Sequence, residues 1–122
     1  MLGHIDWGVK HFRYVGEKVS VIYDWDSLSL EKEPTIVGHA SGDFTYTEYF
    51  GGSRAPTDEE AQAFIAEYEA ARGKPFTPEE YQTMRAAKLY GLAYGARLEH
   101  ALNPQENSYP EGSCHARLAQ YK

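Results

Sequence analysis

The stretch H-I-D-W-G-V-K-H-F-R-Y-V-G-E-K-V-S-V-I-Y-D-W, residues 4–25, decides how this chain begins to fold. Phe12 to Val15 and Lys18 to Tyr23 are β-favouring runs, and Gly16-Glu17 between them suits a tight turn. The second run alternates Val19, Val21 and Tyr23 against Ser20, Ile22 and Asp24, the period of a strand with one buried face. A hairpin over 12–24 is therefore expected, its second strand packed under later helices. Such a hairpin returns Asp24 to the loop over 4–11, which carries His4, Asp6 and His11.

Downstream the period changes. Ser27 to Pro34 is polar and ends in proline, which reads as a connecting loop. Ile36 to Phe50 mixes aromatic residues with β-branched threonines, and a helix is the favoured reading. Thr57-Asp-Glu-Glu60 and Thr77-Pro-Glu-Glu80 are capping boxes, in which a threonine hydroxyl accepts from the third helical amide and the glutamate returns the bond. Gly73 closes the first of these helices, and Pro78 opens the second where its missing N–H costs nothing. Ala61, Phe64, Ile65, Tyr68 and Ala71 form one apolar stripe, so the first helix packs by one face. From Tyr81 to Leu102 small and apolar residues run nearly all round, which predicts the longest element, a central helix with Tyr90 and Tyr94 in the core. Asn103-Pro104 ends it, and residues 103–122 read as a mobile tail with at most a short helix. Together these give a single mainly helical α+β domain over 1–122, with the helical part at 36–102.

Composition narrows the partners. With 122 residues the chain is long enough to bury one core. A formal charge of −6 and no Lys/Arg cluster argue against nucleic acid and favour a cationic or neutral small molecule. Cys114 is the single cysteine, so no internal disulfide is possible and a reducing, cytoplasmic setting is expected. The apolar runs are too short to span lipid, so no membrane is expected as a partner. His39, His100 and His115 are too dispersed to suggest a metal site, Asp26 reads as a turn carboxylate, and Trp25 reads as core packing.

Phosphoryl transfer to a hydroxyl needs a carboxylate to take the hydroxyl proton and oxygen ligands to hold a divalent cation against the phosphates. His4-x-Asp6, then His11, then a hairpin ending in Asp24-Trp25, has the order of a kinase catalytic loop followed by its metal-binding aspartate. The segment resembles the aminoglycoside phosphotransferase and choline-kinase-like family, whose loop reads H-G-D-x-x-x-x-N and whose metal aspartate stands in an I-D-[WF] box. Val37-Gly-His-Ala, Glu67-Tyr-Glu-Ala-Ala-Arg-Gly and the helix end Ala96-Arg-Leu-Glu-His-Ala look like the helical C-terminal lobe of that family. The resemblance implies a kinase-like C-terminal lobe in which Asp6 is the catalytic base, His4 braces the loop, and Asp24 binds Mg²⁺. His11 matches the second metal ligand by position, where the family has asparagine, and Ile5 stands where the family has glycine.

The resemblance also implies ATP as donor, a small-molecule hydroxyl as acceptor, and an N-terminal lobe with a Gly-rich loop and a strand lysine. No G-x-G-x-x-G or Walker-type segment occurs in the chain, and Lys10 and Lys18 lie within the loop and hairpin. The expectation is a truncated lobe, silent alone unless a separate N-terminal lobe joins it. Two alternatives stay open: a non-catalytic remnant acting as a binding module, and a metal-dependent hydrolase using His4, Asp6, His11 and Asp24.

Overall fold

A computed structural model describes residues 1–46 and 54–121. Among the described residues, four α-helices and two small antiparallel sheets make an α+β fold. The chain begins with a strand, β1 (Leu2–His4), and a 3₁₀ turn over Val9–His11 leads into the hairpin strands β2 (Phe12–Val15) and β3 (Lys18–Ile22). A second 3₁₀ turn, Trp25–Ser27, precedes β4 (Leu28–Leu30), and the helices α1 (Glu33–Asp43), α2 (Asp58–Arg72), α3 (Pro78–Leu102) and α4 (Cys114–Leu118) follow.

The expected hairpin forms, turning on Gly16 at φ 60°. Its register passes from Arg13↔Val21 to Tyr14↔Val19, so Ser20 is an extra residue on the second strand, and its hydroxyl donates to the Arg13 carbonyl at 3.0 Å. The expected burial of the second strand does not occur. Val15, Val19 and Val21 are exposed, because the bulge breaks the alternation and no helix lies over them.

The stretch read as a loop before the helices instead holds β4, which pairs with β1 through Leu2↔Leu30 and His4↔Leu28. Three residues on each side are too few to show a period, and only the tertiary ladder defines them. Helix α1 also starts earlier than predicted, with Pro34 in its first turn, and the predicted continuation through 47–50 falls outside the described residues.

Both capping boxes are present in full, with Thr57 accepting from Glu60 N and Thr77 from Glu80 N, each at 3.2 Å. Gly73 closes α2 at φ 75°. As predicted, α3 is the longest element, at 25 residues. It carries two small cores. Val37, Phe76 and Met84 pack with Phe64, Ile65 and Tyr68 near its start, and Ala55, Leu92, Ala96 and Cys114 pack with Leu118 near its end.

Helices α1 and α3 cross closely because glycine leaves the contact open. A Cβ on Gly38 would lie 2.4 Å from the Met84 carbonyl oxygen. The tail is tied down by α4, whose first amides, Cys114 N and His115 N, donate to Glu99 on α3 at 2.8 and 3.0 Å. No helix among the described residues is long and apolar enough to cross a membrane.

Candidate functional site

Two backbone ladders close the 4–25 stretch on itself. β1 pairs with β4, extended by Ile5 N donating to Ser27 O at 3.1 Å, and the hairpin is extended by Tyr23 N donating to His11 O at 3.1 Å. The Tyr23 hydroxyl donates to the Lys10 carbonyl, and Trp25 Nε1 donates to Ile22 O at 2.8 Å. Asp24, between these anchors, is turned into the left-handed region at φ 69°, ψ 42°. The loop is in turn fixed to the end of α1, where Val9 N donates to Phe44 O at 2.9 Å.

The result brings together three of the four residues singled out above. His11 Nε2 lies 3.1 Å from Asp6 Oδ2 and 3.3 Å from Asp24 Oδ2, and one donor atom from each of the three falls within 4.8 Å of the others. His11 is buried, whereas both carboxylates are partly open to solvent. Lys10, seated only as part of the loop in the sequence reading, adds a cation 3.0 Å from Asp6 Oδ2. Burial raises the Asp6 carboxyl, but hydrogen bonds from Lys10 and His11 outweigh it, and Asp6 titrates below its ordinary value.

His4 stays outside this group. Its ring is buried behind the cluster, against Trp7, His11 and Trp25 with centroids 6.0, 5.5 and 5.9 Å away, and neither ring nitrogen has a hydrogen-bond partner. It is therefore not among the three donors that could share an ion. Trp25, expected in the core, is 53 % exposed, since its indole N–H is satisfied by the hairpin rather than by interior packing.

Two carboxylates converge on one imidazole nitrogen, and Lys10 supplies positive charge on the Asp6 side alone. Nε2 presents at most one N–H to two carboxylate oxygens, so the same three atoms also form a donor set that a divalent cation can occupy. Two oxygens and one nitrogen are a mixed donor set. Mg²⁺ prefers an all-oxygen octahedron, whereas Mn²⁺ and later divalent ions accept imidazole. The residues present therefore fit a nitrogen-tolerant divalent cation better than Mg²⁺.

Beside the cluster lies a cavity of about 450 Å³. Asp6 forms part of one wall, and α1 and α3 contribute His39, Asp43, Tyr90 and Tyr94. Tyr90 and Tyr94, predicted as core, are 67 % and 65 % exposed. They line the open space beside α1, where Tyr90 meets only the edge of His39 with centroids 5.8 Å apart, a half-covered setting that the all-round apolar pattern concealed. Asp43, absent from the sequence reading, has its Oδ1 enclosed and without a hydrogen-bond partner. Burial, reinforced by the neighbouring Asp6 charge, pushes its carboxyl well above the ordinary value. A lone carboxylate at the end of the small-residue run Val37-Gly-His-Ala-Ser-Gly-Asp43 was the available signal.

His39 is likewise held toward its neutral form by burial. Cys114 also lines the cavity, yet burial and the nearby Glu99 push its thiol up to about 12, which removes it as a nucleophile at neutral pH. A larger cavity, about 590 Å³, opens between α2 and α3, but Asp58, Lys88 and Tyr121 in its wall are bonded to one another. The Asp6–His11–Asp24 group adjoins the smaller one. No protein-family model, curated protein or solved structure matches this chain.

Proposed function

We propose that this chain is the acceptor-and-metal half of a phosphoryl-transfer site, a lobe of the kind the aminoglycoside phosphotransferase and choline-kinase-like family carries at its C-terminal end. The observation that carries the reading is the convergence of Asp6, His11 and Asp24 donor atoms within 4.8 Å at the edge of a small-molecule-sized cavity. Asp6 reaches both the cavity and the cluster. As a carboxylate it would accept a hydrogen bond from an acceptor hydroxyl and take its proton as the oxygen bonds to the γ-phosphorus of ATP and the bond from that phosphorus to the ADP oxygen breaks, ADP leaving. Because Lys10 and His11 hold its carboxyl below the ordinary value, it acts chiefly as an orienting group that receives the proton late.

Asp24 and His11 would hold a divalent cation, which supplies charge against the phosphate oxygens of ATP. Lys10 keeps Asp6 ionised beside that charge. His4 fills the space behind His11 and keeps its ring from turning away. The elements that cover the nucleotide phosphates belong, on this reading, to a separate lobe. The hydrolase alternative is weaker, since His4 packs behind the other three residues rather than beside them.

The test is divalent-cation binding followed by nucleotide binding. Mn²⁺ should quench its own electron-spin signal on the wild-type chain and not on Asp24→Asn, and Mn²⁺-ATP should raise the melting temperature of the wild type alone. Equal Mn²⁺ affinity in both proteins would overturn the assignment. Transfer of labelled γ-phosphate to a hydroxyl compound, lost in Asp6→Asn, separates an enzyme lobe from a binding module.

A further inference from the structure

We propose that a further cavity, between β1, α1 and α2, binds a small uncharged aromatic ring that carries no polar group. Its volume is about 230 Å³, and Ile36, Val37, Ala40, Phe64 and Tyr68 line it together with Trp7 from the loop after β1. None of Asp6, His11 and Asp24 lines it, so the inference stands apart from the phosphoryl-transfer reading.

Polarity is the first argument, because the wall is almost wholly apolar. Both ring nitrogens of His4, which also borders the space, are closed to solvent, and the Tyr68 hydroxyl donates to Glu33 Oε1 at 2.9 Å. A water held inside a protein makes about two to four hydrogen bonds, so this wall holds water poorly and an apolar ring displaces nothing well bound. A hydroxyl or an ammonium would lose its own hydration and find no partner in exchange.

Shape is the second, since the space is braced from outside. Phe64 stacks on Phe44 with centroids 5.1 Å apart, Tyr68 stacks on Phe76 at 6.0 Å, and Trp7 meets Phe12 edge-on at 4.8 Å. None of those three phenylalanines lines the cavity, so its aromatic walls cannot fall inward without giving up contacts elsewhere. A void kept open in this way forfeits dispersion along its whole lining, which an inserted ring restores. Three aromatic side chains around one space favour an aromatic occupant, through edge and face contacts. Size agrees: dry apolar cavities of about 150 Å³ accept benzene, so 230 Å³ admits a methylated ring. Met1, which also lines the space, is exposed and marks a way in from solvent.

The experiment titrates toluene and phenol into the full chain at pH 7, without metal or nucleotide, and follows methyl resonances by NMR. Toluene should bind with a Kd of about 1 mM or tighter. It should shift the methyl signals of Ile36, Val37 and Ala40 and leave those of Leu98, in the α1–α3 cavity, in place. Phenol, of nearly the same size, should bind at least about tenfold more weakly. Ala40→Leu, which puts a larger side chain into the same space, should abolish the toluene shifts; if that variant fails to fold, the wild-type shift map and the phenol comparison decide. Phenol binding as tightly as toluene, shifts centred on Leu98, toluene binding retained in a folded Ala40→Leu protein, or no response to toluene would overturn the proposal.

Discussion

Asp24 is the one residue other than glycine at positive φ among those described, and it is also a cluster carboxylate. A side chain in that region costs about 1–2 kcal/mol through Cβ crowding, less for aspartate, whose short polar chain bonds locally. The hairpin and the β1–β4 ladder hold the strain in place, and the strained residue is the one aimed at His11. This predicts an inverted substitution order. Asp24→Gly should be more stable than Asp24→Ala by about 1 kcal/mol in chemical denaturation, although glycine ordinarily loses that comparison, and both should lose Mn²⁺ affinity. A normal order, with alanine the more stable, would mean the backbone relaxes freely and the geometry is not imposed.

Among the elements, the α1–α3 crossing sets the cavity, because it fixes how far Asp43 stands from Tyr90 and Tyr94. Gly38 lets α1 approach until its Cα would carry a Cβ into the Met84 backbone, an obstacle that no rotamer change removes. Gly38→Ala should therefore destabilise by about 1–3 kcal/mol despite the better helix propensity of alanine. The check is urea denaturation, and a stabilised Gly38→Ala protein would show that the helices slide apart at little cost. Gly42 faces the flexible Lys88 side chain at 3.0 Å instead, so Gly42→Ala is the milder control. The capping boxes and Gly73 were readable because each depends on neighbours within four residues. By contrast β4 was missed, since three residues acquire strand identity only from partners 24 to 28 positions away.

At the scale of the whole molecule, stability should fall in acid for a definable reason. Arg54 donates to both Glu60 oxygens at 2.7 and 2.6 Å, and this pair, with the Thr57 amide, lowers Glu60 from 4.5 to about 2. Asp58 and Glu80 are lowered as well, by Lys88 and Tyr121 and by the Thr77 amide respectively. A carboxyl depressed in the folded state contributes stability that is complete above its unfolded value and disappears as pH falls through its folded value. The melting temperature should therefore drop between about pH 4.5 and pH 2, and Glu60→Gln should flatten part of that drop. An identical acid profile in Glu60→Gln would refute the assignment. Asp43 acts in the opposite sense, since its raised value makes ionisation unfavourable and removes stability as pH rises.

Local signals alone determined the hairpin, the two capped helices and the length of α3, because turn residues, caps and a strand period act within a few residues of themselves, whereas the closeness of Asp6 and Asp24 also needs the β1–β4 ladder. Which faces were covered was decided only in three dimensions. The hairpin valines and Tyr90 and Tyr94 are apolar or aromatic by composition, yet they remain largely exposed. Asp43 is an ordinary carboxylate by type, yet the α1–α3 crossing encloses its Oδ1 beside Asp6. Burial is a property of the neighbours brought by distant segments, and no residue carries that information by itself.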